Sequence, residues 1–177
     1  MPAVPLSTFL PEPSPAEYSM KYADFDIVFQ EVPGEVSLAL NISHCPNNCP
    51  GCHSAYLMED VGYELNEQSL EQLLDRYGSG ITCVCFMGGD RTPFEVARLA
   101  EYLHTGRSHP LKAAWYSGKS QLPEGFPLQW FNYIKLGPYI EAQGPLNKPS
   151  TNQHLYRIEP DLTLTDITSV FWKKKNL

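Results

Sequence analysis

Glu35-Val36-Ser37-Leu38-Ala39-Leu40-Asn41-Ile42 runs through Ser43 into His44-Cys45-Pro46-Asn47-Asn48-Cys49-Pro50-Gly51-Cys52-His53, and this junction decides how the chain is read. The first segment is apolar and carries β-branched residues, the pattern of a buried strand. The second holds two prolines and a glycine within ten residues, which no regular element sustains. A loop therefore hangs from the C-terminal end of a strand, the place where open α/β sheets commonly build their sites.

That loop brings three cysteines together with C-x3-C-x2-C spacing. A [4Fe–4S] cluster normally takes four cysteine ligands, so a trio leaves one iron open to a ligand that is not a cysteine. Two other readings compete with the cluster. A Cys3His zinc site would draw its fourth ligand from His44 or His53. A disulfide would leave one of the three thiols unpaired, and no stretch near the start reads as a signal peptide, so an oxidising compartment has no support. Pro46 and Pro50 stiffen the loop and remove donors, Gly51 permits a sharp turn, and the remaining amides can point at sulfur.

Outward from the loop, strands and helices alternate as βα units. Asn66 can cap a helix through Leu70, Leu73 and Leu74 to Tyr77, stopped by Gly78-Ser79-Gly80. Ile81 to Met87 is a short buried strand, and Thr92 and Pro93 open a second helix ending at Gly106. Leu111 to Tyr116 and Tyr133 to Leu136 follow as strands, and His154 to Ile158 pairs at an edge. Cys83 and Cys85 fall on one face of their strand and read as core, because buried cysteine packs like a small hydrophobe. His104, His109 and His154 show no ligand spacing, and Phe171 and Trp172 read as packing the tail on the body.

Gly88-Gly89-Asp90 closes the strand after the cysteine loop. Alone it is a turn, since glycines permit positive φ and Asp favours turns. Beside the cysteine loop, two residues without side chains would also let backbone approach a ligand.

The 177 residues suit one compact domain, and a full eight-unit barrel is excluded because it needs about 250. A net charge of −7 and no long basic stripe argue against nucleic-acid binding, and Lys173-Lys174-Lys175 reads as a solvated end. No run approaches the roughly 18 apolar residues of a membrane span. Five cysteines without a signal peptide point to the reducing cytoplasm. Pro2, Pro5, Pro11, Pro13 and Pro15 mark residues 1–19 as an extended or disordered extension, leaving 20–177 as the domain.

The strand followed by Cys45-x3-Cys49-x2-Cys52, with Gly88-Gly89-Asp90 at the end of the next strand, resembles the radical S-adenosylmethionine (SAM) superfamily. Within it, the chain is similar to the activating proteins of anaerobic, class III ribonucleotide reductases. The Cys-Pro-x-x-Cys-Pro-Gly-Cys form, the short chain, Gly137-Pro138-Tyr139, and Pro149-Ser150-Thr151-Asn152-Gln153 carry the likeness, which spans Tyr22 to Ile158. Arg91 and Pro149 depart from it, standing where proline and glycine are common.

The resemblance implies a single-domain partial (β/α) barrel or an open, mostly parallel sheet. It implies a [4Fe–4S] cluster on Cys45, Cys49 and Cys52, and SAM held by Gly51, Cys52 and His53 together with Gly88, Gly89 and Asp90, the last group accepting from the SAM ammonium. The expected activity is reductive cleavage of SAM to a 5′-deoxyadenosyl radical that generates a glycyl radical on the anaerobic reductase. An electron donor such as flavodoxin would feed it, and no protein acid or base would be needed. Activation of another glycyl-radical enzyme, or a non-catalytic iron–sulfur or zinc module, are the alternatives.

Overall fold

Asn66 starts the first helix as its position suggests: its side chain accepts from the Ser69 N–H at 3.0 Å while Ser69 Oγ accepts from the Asn66 N–H at 2.9 Å. This reciprocal cap satisfies two orphan donors. The helix, α1, runs Glu67–Tyr77 and ends at Gly78; α2 runs Pro93–Thr105 with proline in its first turn and ends at Gly106. The structure, a computed structural model, describes residues 19–172. Residues 1–18 of the expected extension and the Lys173-Lys174-Lys175 tail lie outside the described residues.

Eight strands make one open mixed sheet: β1 (Lys21–Val28), β2 (Ser37–Ile42), β3 (Tyr63–Glu64), β4 (Cys83–Met87), β5 (Lys112–Tyr116), β6 (Tyr133–Leu136), β7 (His154–Ile158) and β8 (Leu164–Asp166). Their order is β3-β1-β2-β4-β5-β6-β7-β8. The central four, β2, β4, β5 and β6, are parallel. Both flanks are antiparallel, so the sheet is parallel only at its centre. The α/β class and the open-sheet alternative hold.

Three strands escape the sequence reading. β1 reads Lys-Tyr-Ala-Asp-Phe-Asp-Ile-Val, with too much charge to look like a core strand; it forms an antiparallel pair with β2 and leaves much of one side to solvent. β3 has two residues and β8 three, too short for a periodic signal. Because β8 pairs with β7, β7 is not the edge that its position suggests.

The βα alternation also fails between β5 and β6, where a short 3-10 turn at Leu128–Trp130 replaces a helix. Pro123, Gly125 and Pro127 forbid one. Aromatic rings cover that part of the sheet instead: Phe126 stacks on Trp115 with centroids 4.8 Å apart and on Phe131 at 5.3 Å.

The two faces of the sheet differ in kind. On one, Leu38, Leu40, Val84, Phe86, Trp115 and Ile134 meet Leu70, Leu73 and Leu74 of α1 and Val96, Leu99, Ala100 and Leu103 of α2. Each fully buried leucine there contributes roughly 2 kcal/mol. The opposite face carries Cys83, Cys85, Ala114, Tyr133 and Leu155 and is covered by Val32, Ile167 and Phe171 rather than by an α-helix. Cys83 and Cys85 are fully buried, as core cysteines should be. Among the described residues no helix is long and apolar enough to cross a membrane.

Candidate functional site

The parallel pairing lines up one row across four strands: Asn41 opposite Met87, Met87 opposite Tyr116, Tyr116 opposite Lys135. All four project from the helix-free face at the C-terminal ends of their strands. They form one side of a cavity of about 380 Å³ whose other side is the cysteine loop, with Cys45, Cys49, Cys52 and His53 in its wall. A loop after a parallel strand is thus folded back over the sheet's C-terminal edge.

Backbone hydrogen bonds shape that loop. The His44 N–H donates to Glu59 O at 2.9 Å and the Cys45 N–H to Leu57 O at 2.8 Å, so residues 44–59 close on themselves. His44, Asn48 and Gly51 have φ of 60°, 45° and 72°. At Gly51 this left-handed turn explains the glycine. Two of the three cysteine amides are spent inside the loop, since the Cys52 N–H also binds Cys49 O at 3.2 Å. The amides free to reach sulfur are therefore fewer than expected. Burial raises the pKa of the Cys45 thiol, and the neighbouring Asn47 opposes that shift.

The three thiols share one cavity wall without forming a ligating triad. Among the described residues no group of three or more His, Cys, Asp or Glu side chains is arranged to hold a metal ion. The donor chemistry fits an iron–sulfur cluster all the same: three soft thiols from one loop facing a single cavity. Gathering them on a common centre is a rearrangement that metal binding itself would drive.

Asp90 lies in this cavity too, but its carboxylate is occupied. Asn47 Nδ2 donates to Oδ2 at 2.5 Å, the Gly118 N–H to Oδ2 at 2.8 Å and Ser117 Oγ to Oδ1 at 2.5 Å. The side chain clasps the cysteine loop to the turn after β5. Gly88 borders the cavity, with φ of 102°, and its carbonyl accepts from Trp115 Nε1 at 2.7 Å. Gly89 does not border it: a Cβ there would stand 2.5 Å from Val96 Cγ2, so this glycine lets the turn pack on α2. Gly51 is likewise outside the lining, beside Glu141.

The two departures find places. Arg91 Nε donates to His44 O at 3.2 Å, holding the start of the cysteine loop. Pro149 follows Lys148 in a turn closed by the Thr151 N–H on Lys148 O at 3.1 Å, a position that favours proline, and it is exposed.

Four lining residues were not singled out as ligands from sequence. Tyr139 sets its ring 5.3 Å from that of His53. Tyr116 donates its hydroxyl to Glu31 O, and burial pushes its pKa up. Gln153 is buried against the same space. Lys135 is 8 % exposed, with Nζ donating to Gly137 O at 2.7 Å and Ser117 O at 3.2 Å. Burial lowers its pKa to about 8, against the pull of Asp90, Cys49 and Cys52. A lysine between Ile134 and Leu136 in a buried strand was a readable signal, since buried lysines without a task are rare.

Compared with known proteins, the chain matches no protein-family model, no curated protein and no solved structure.

Proposed function

We propose that this protein is an iron–sulfur activase of the radical SAM type, acting on a glycyl-radical partner, the anaerobic ribonucleotide reductase. One observation carries the reading: a single loop presents three thiols to a cavity at the C-terminal ends of four parallel strands, opposite a Gly88-to-Asp90 turn and a buried lysine. In this reading Cys45, Cys49 and Cys52 would hold a [4Fe–4S] cluster, which when loaded supplies one electron for reductive cleavage of SAM.

The chain's own residues bind, orient and shield. Lys135 offers a buried cation to a ligand carboxylate, an interaction strengthened by low local dielectric. A ligand ammonium would meet the Gly88-to-Asp90 turn where Gly88 and Asp90 border the cavity, with the Asp90 carboxylate shared between the ligand and its clasp. Leu57, Met58 and Leu146 in the lining exclude water from reactive species. An electron donor such as flavodoxin and a cytoplasmic setting belong to the same proposal.

The test is anaerobic. The protein reconstituted with iron and sulfide is mixed with SAM and dithionite, with and without the candidate reductase. Formation of 5′-deoxyadenosine together with a glycyl-radical doublet on the reductase supports the proposal. Deoxyadenosine without the doublet redirects the search to another glycyl-radical partner, and a colourless protein holding one zinc sinks it.

A further inference from the structure

A second cavity, of about 260 Å³, opens at the β8 edge of the sheet and shares no lining residue with the cysteine cavity. Its walls are Pro149 and Thr151 ahead of β7, His154 and Asp166 on β7 and β8, and the 3-10 turn Thr168–Phe171 with Trp172 after it. The Trp172 indole N–H is shut off from solvent and has no acceptor among the described residues. A buried donor without an acceptor is costly, and Trp172 borders this cavity, so an acceptor lodged there supplies what the indole lacks.

The chain's own acceptors in this lining are committed elsewhere. Asp166 Oδ1 accepts from the Thr168 N–H at 2.8 Å and from Thr168 Oγ1 at 2.5 Å, and Asp166 Oδ2 faces His154 Nδ1 at 2.8 Å. Burial works against the charge on Asp166, but the Thr168 and His154 contacts outweigh it and hold the carboxyl below its ordinary value. Thr168 Oγ1 also accepts from the Leu155 N–H at 2.9 Å, and Thr151 Oγ1 from the Gln153 N–H at 3.1 Å. With Nδ1 held by a carboxylate, His154 has Nε2 left for a ligand, and Tyr156 steadies the ring by stacking on it at 6.0 Å.

What this lining offers a ligand is therefore a set of donors: the Trp172 indole N–H, the Ser169 hydroxyl and, from an imidazolium on Asp166, the Nε2–H of His154. A group that is all acceptor and negatively charged is the complement of that set. The sequence adds cations on either side, since Lys148 directly precedes Pro149 and Lys173-Lys174-Lys175 directly follows Trp172. We infer that this cavity is a second ligand site, taking the oxyanion of a small molecule, a phosphate or a carboxylate group. The volume is at the small end of ligand pockets and suits a compact metabolite.

The indole N–H signal of Trp172, assigned with Trp172→Phe, is followed in ¹H–¹⁵N spectra of the unreconstituted full chain. Inorganic phosphate or acetate is added at constant ionic strength, with chloride as the control. The Trp172 signal should shift saturably while those of Trp115 and Trp130 stay in place, and the anion that acts at lower concentration identifies the group the site prefers. His154→Phe keeps the ring stacked on Tyr156 but removes the donor, and should weaken binding about tenfold. Ser169→Ala, at an exposed position, should weaken it severalfold and serves if His154→Phe does not fold. No saturable response to either anion overturns the inference, as does a chloride response of equal size. Full affinity in either folded variant overturns it too. None of these readings needs iron or SAM, so their failure leaves the proposed function where it stands.

Discussion

Asn47 Nδ2 lies 2.5 Å from Asp90 Oδ2, joining the middle of the cysteine loop to the end of the adjacent strand across forty-three residues of sequence. Because the same carboxylate also receives Ser117 Oγ and the Gly118 N–H, it fixes three segments at once. Asp90→Ala leaves three donors unpaired and should destabilise the unreconstituted protein by roughly 3 kcal/mol, and Asn47→Ala by about 1 kcal/mol. Urea unfolding checks both. Equal stability of Asp90→Ala and the unaltered chain would mean that the clasp holds nothing.

Cysteine reactivity should divide the five thiols into two groups. Burial pushes the Cys83 thiol up to about 12 and raises that of Cys85 well above its ordinary value. Iodoacetamide at pH 8 on the native, unreconstituted chain should label the three half-buried loop cysteines and spare Cys83 and Cys85. Correspondingly, Cys45→Ala, Cys49→Ala and Cys52→Ala should each prevent normal cluster loading, whereas Cys83→Ala should load iron as the unaltered protein does. Loss of iron from a folded Cys83→Ala protein would change the ligand set.

Lys135 should leave a signature in stability against pH. Its folded pKa, about 8, lies below the ordinary lysine value of 10.5, so between these values the unfolded chain binds more protons than the native one. Stability attributable to this residue therefore rises with pH across that window, by an amount on the order of 3 kcal/mol. Lys135→Met should abolish the rise in urea-unfolding midpoints measured from pH 7 to 10. A parallel pair of curves would show an amine that is not buried.

Glu35 has the opposite sign. Burial alone would raise its pKa, but hydrogen bonds from Lys112 at 2.5 Å, Thr82 at 2.6 Å and Tyr133 at 3.2 Å outweigh it and hold the carboxyl below the ordinary 4.5. Its contribution is present above that value and is lost as pH falls through the lower folded pKa. Glu35→Gln should lessen acid destabilisation below about pH 4.5 while costing roughly 2 kcal/mol at pH 7. An unchanged acid limb in thermal melts would contradict this.

Much of the frame was legible because local signals agreed with one another. Asn66, Gly78, Pro93 and Gly106 mark both helices to the residue, and β6 and β7 have the expected bounds. What escaped lacks a local signal: β1 is half solvent-facing, and β3 and β8 are set by partners distant in sequence. The cysteine loop's place at the C-terminal end of a strand was legible, yet its neighbours were not. Lys135 and Gln153 meet it only through strand register, and Asp90 meets Ser117 and Gly118 through hydrogen bonds to partners distant in sequence. That Gly89 lets the turn pack on α2 needs the position of Val96, which no local pattern shows.

The central claim is that three cysteines hold a four-iron cluster with one iron left for SAM. The most direct measurement is the electron paramagnetic resonance spectrum of the dithionite-reduced, reconstituted protein before and after SAM is added, with iron and sulfide determined on the same sample. The account predicts about four iron and four sulfide per chain and a spectrum that changes when SAM binds. A full cluster whose spectrum is indifferent to SAM, or a chain that takes up a single zinc instead, would contradict it.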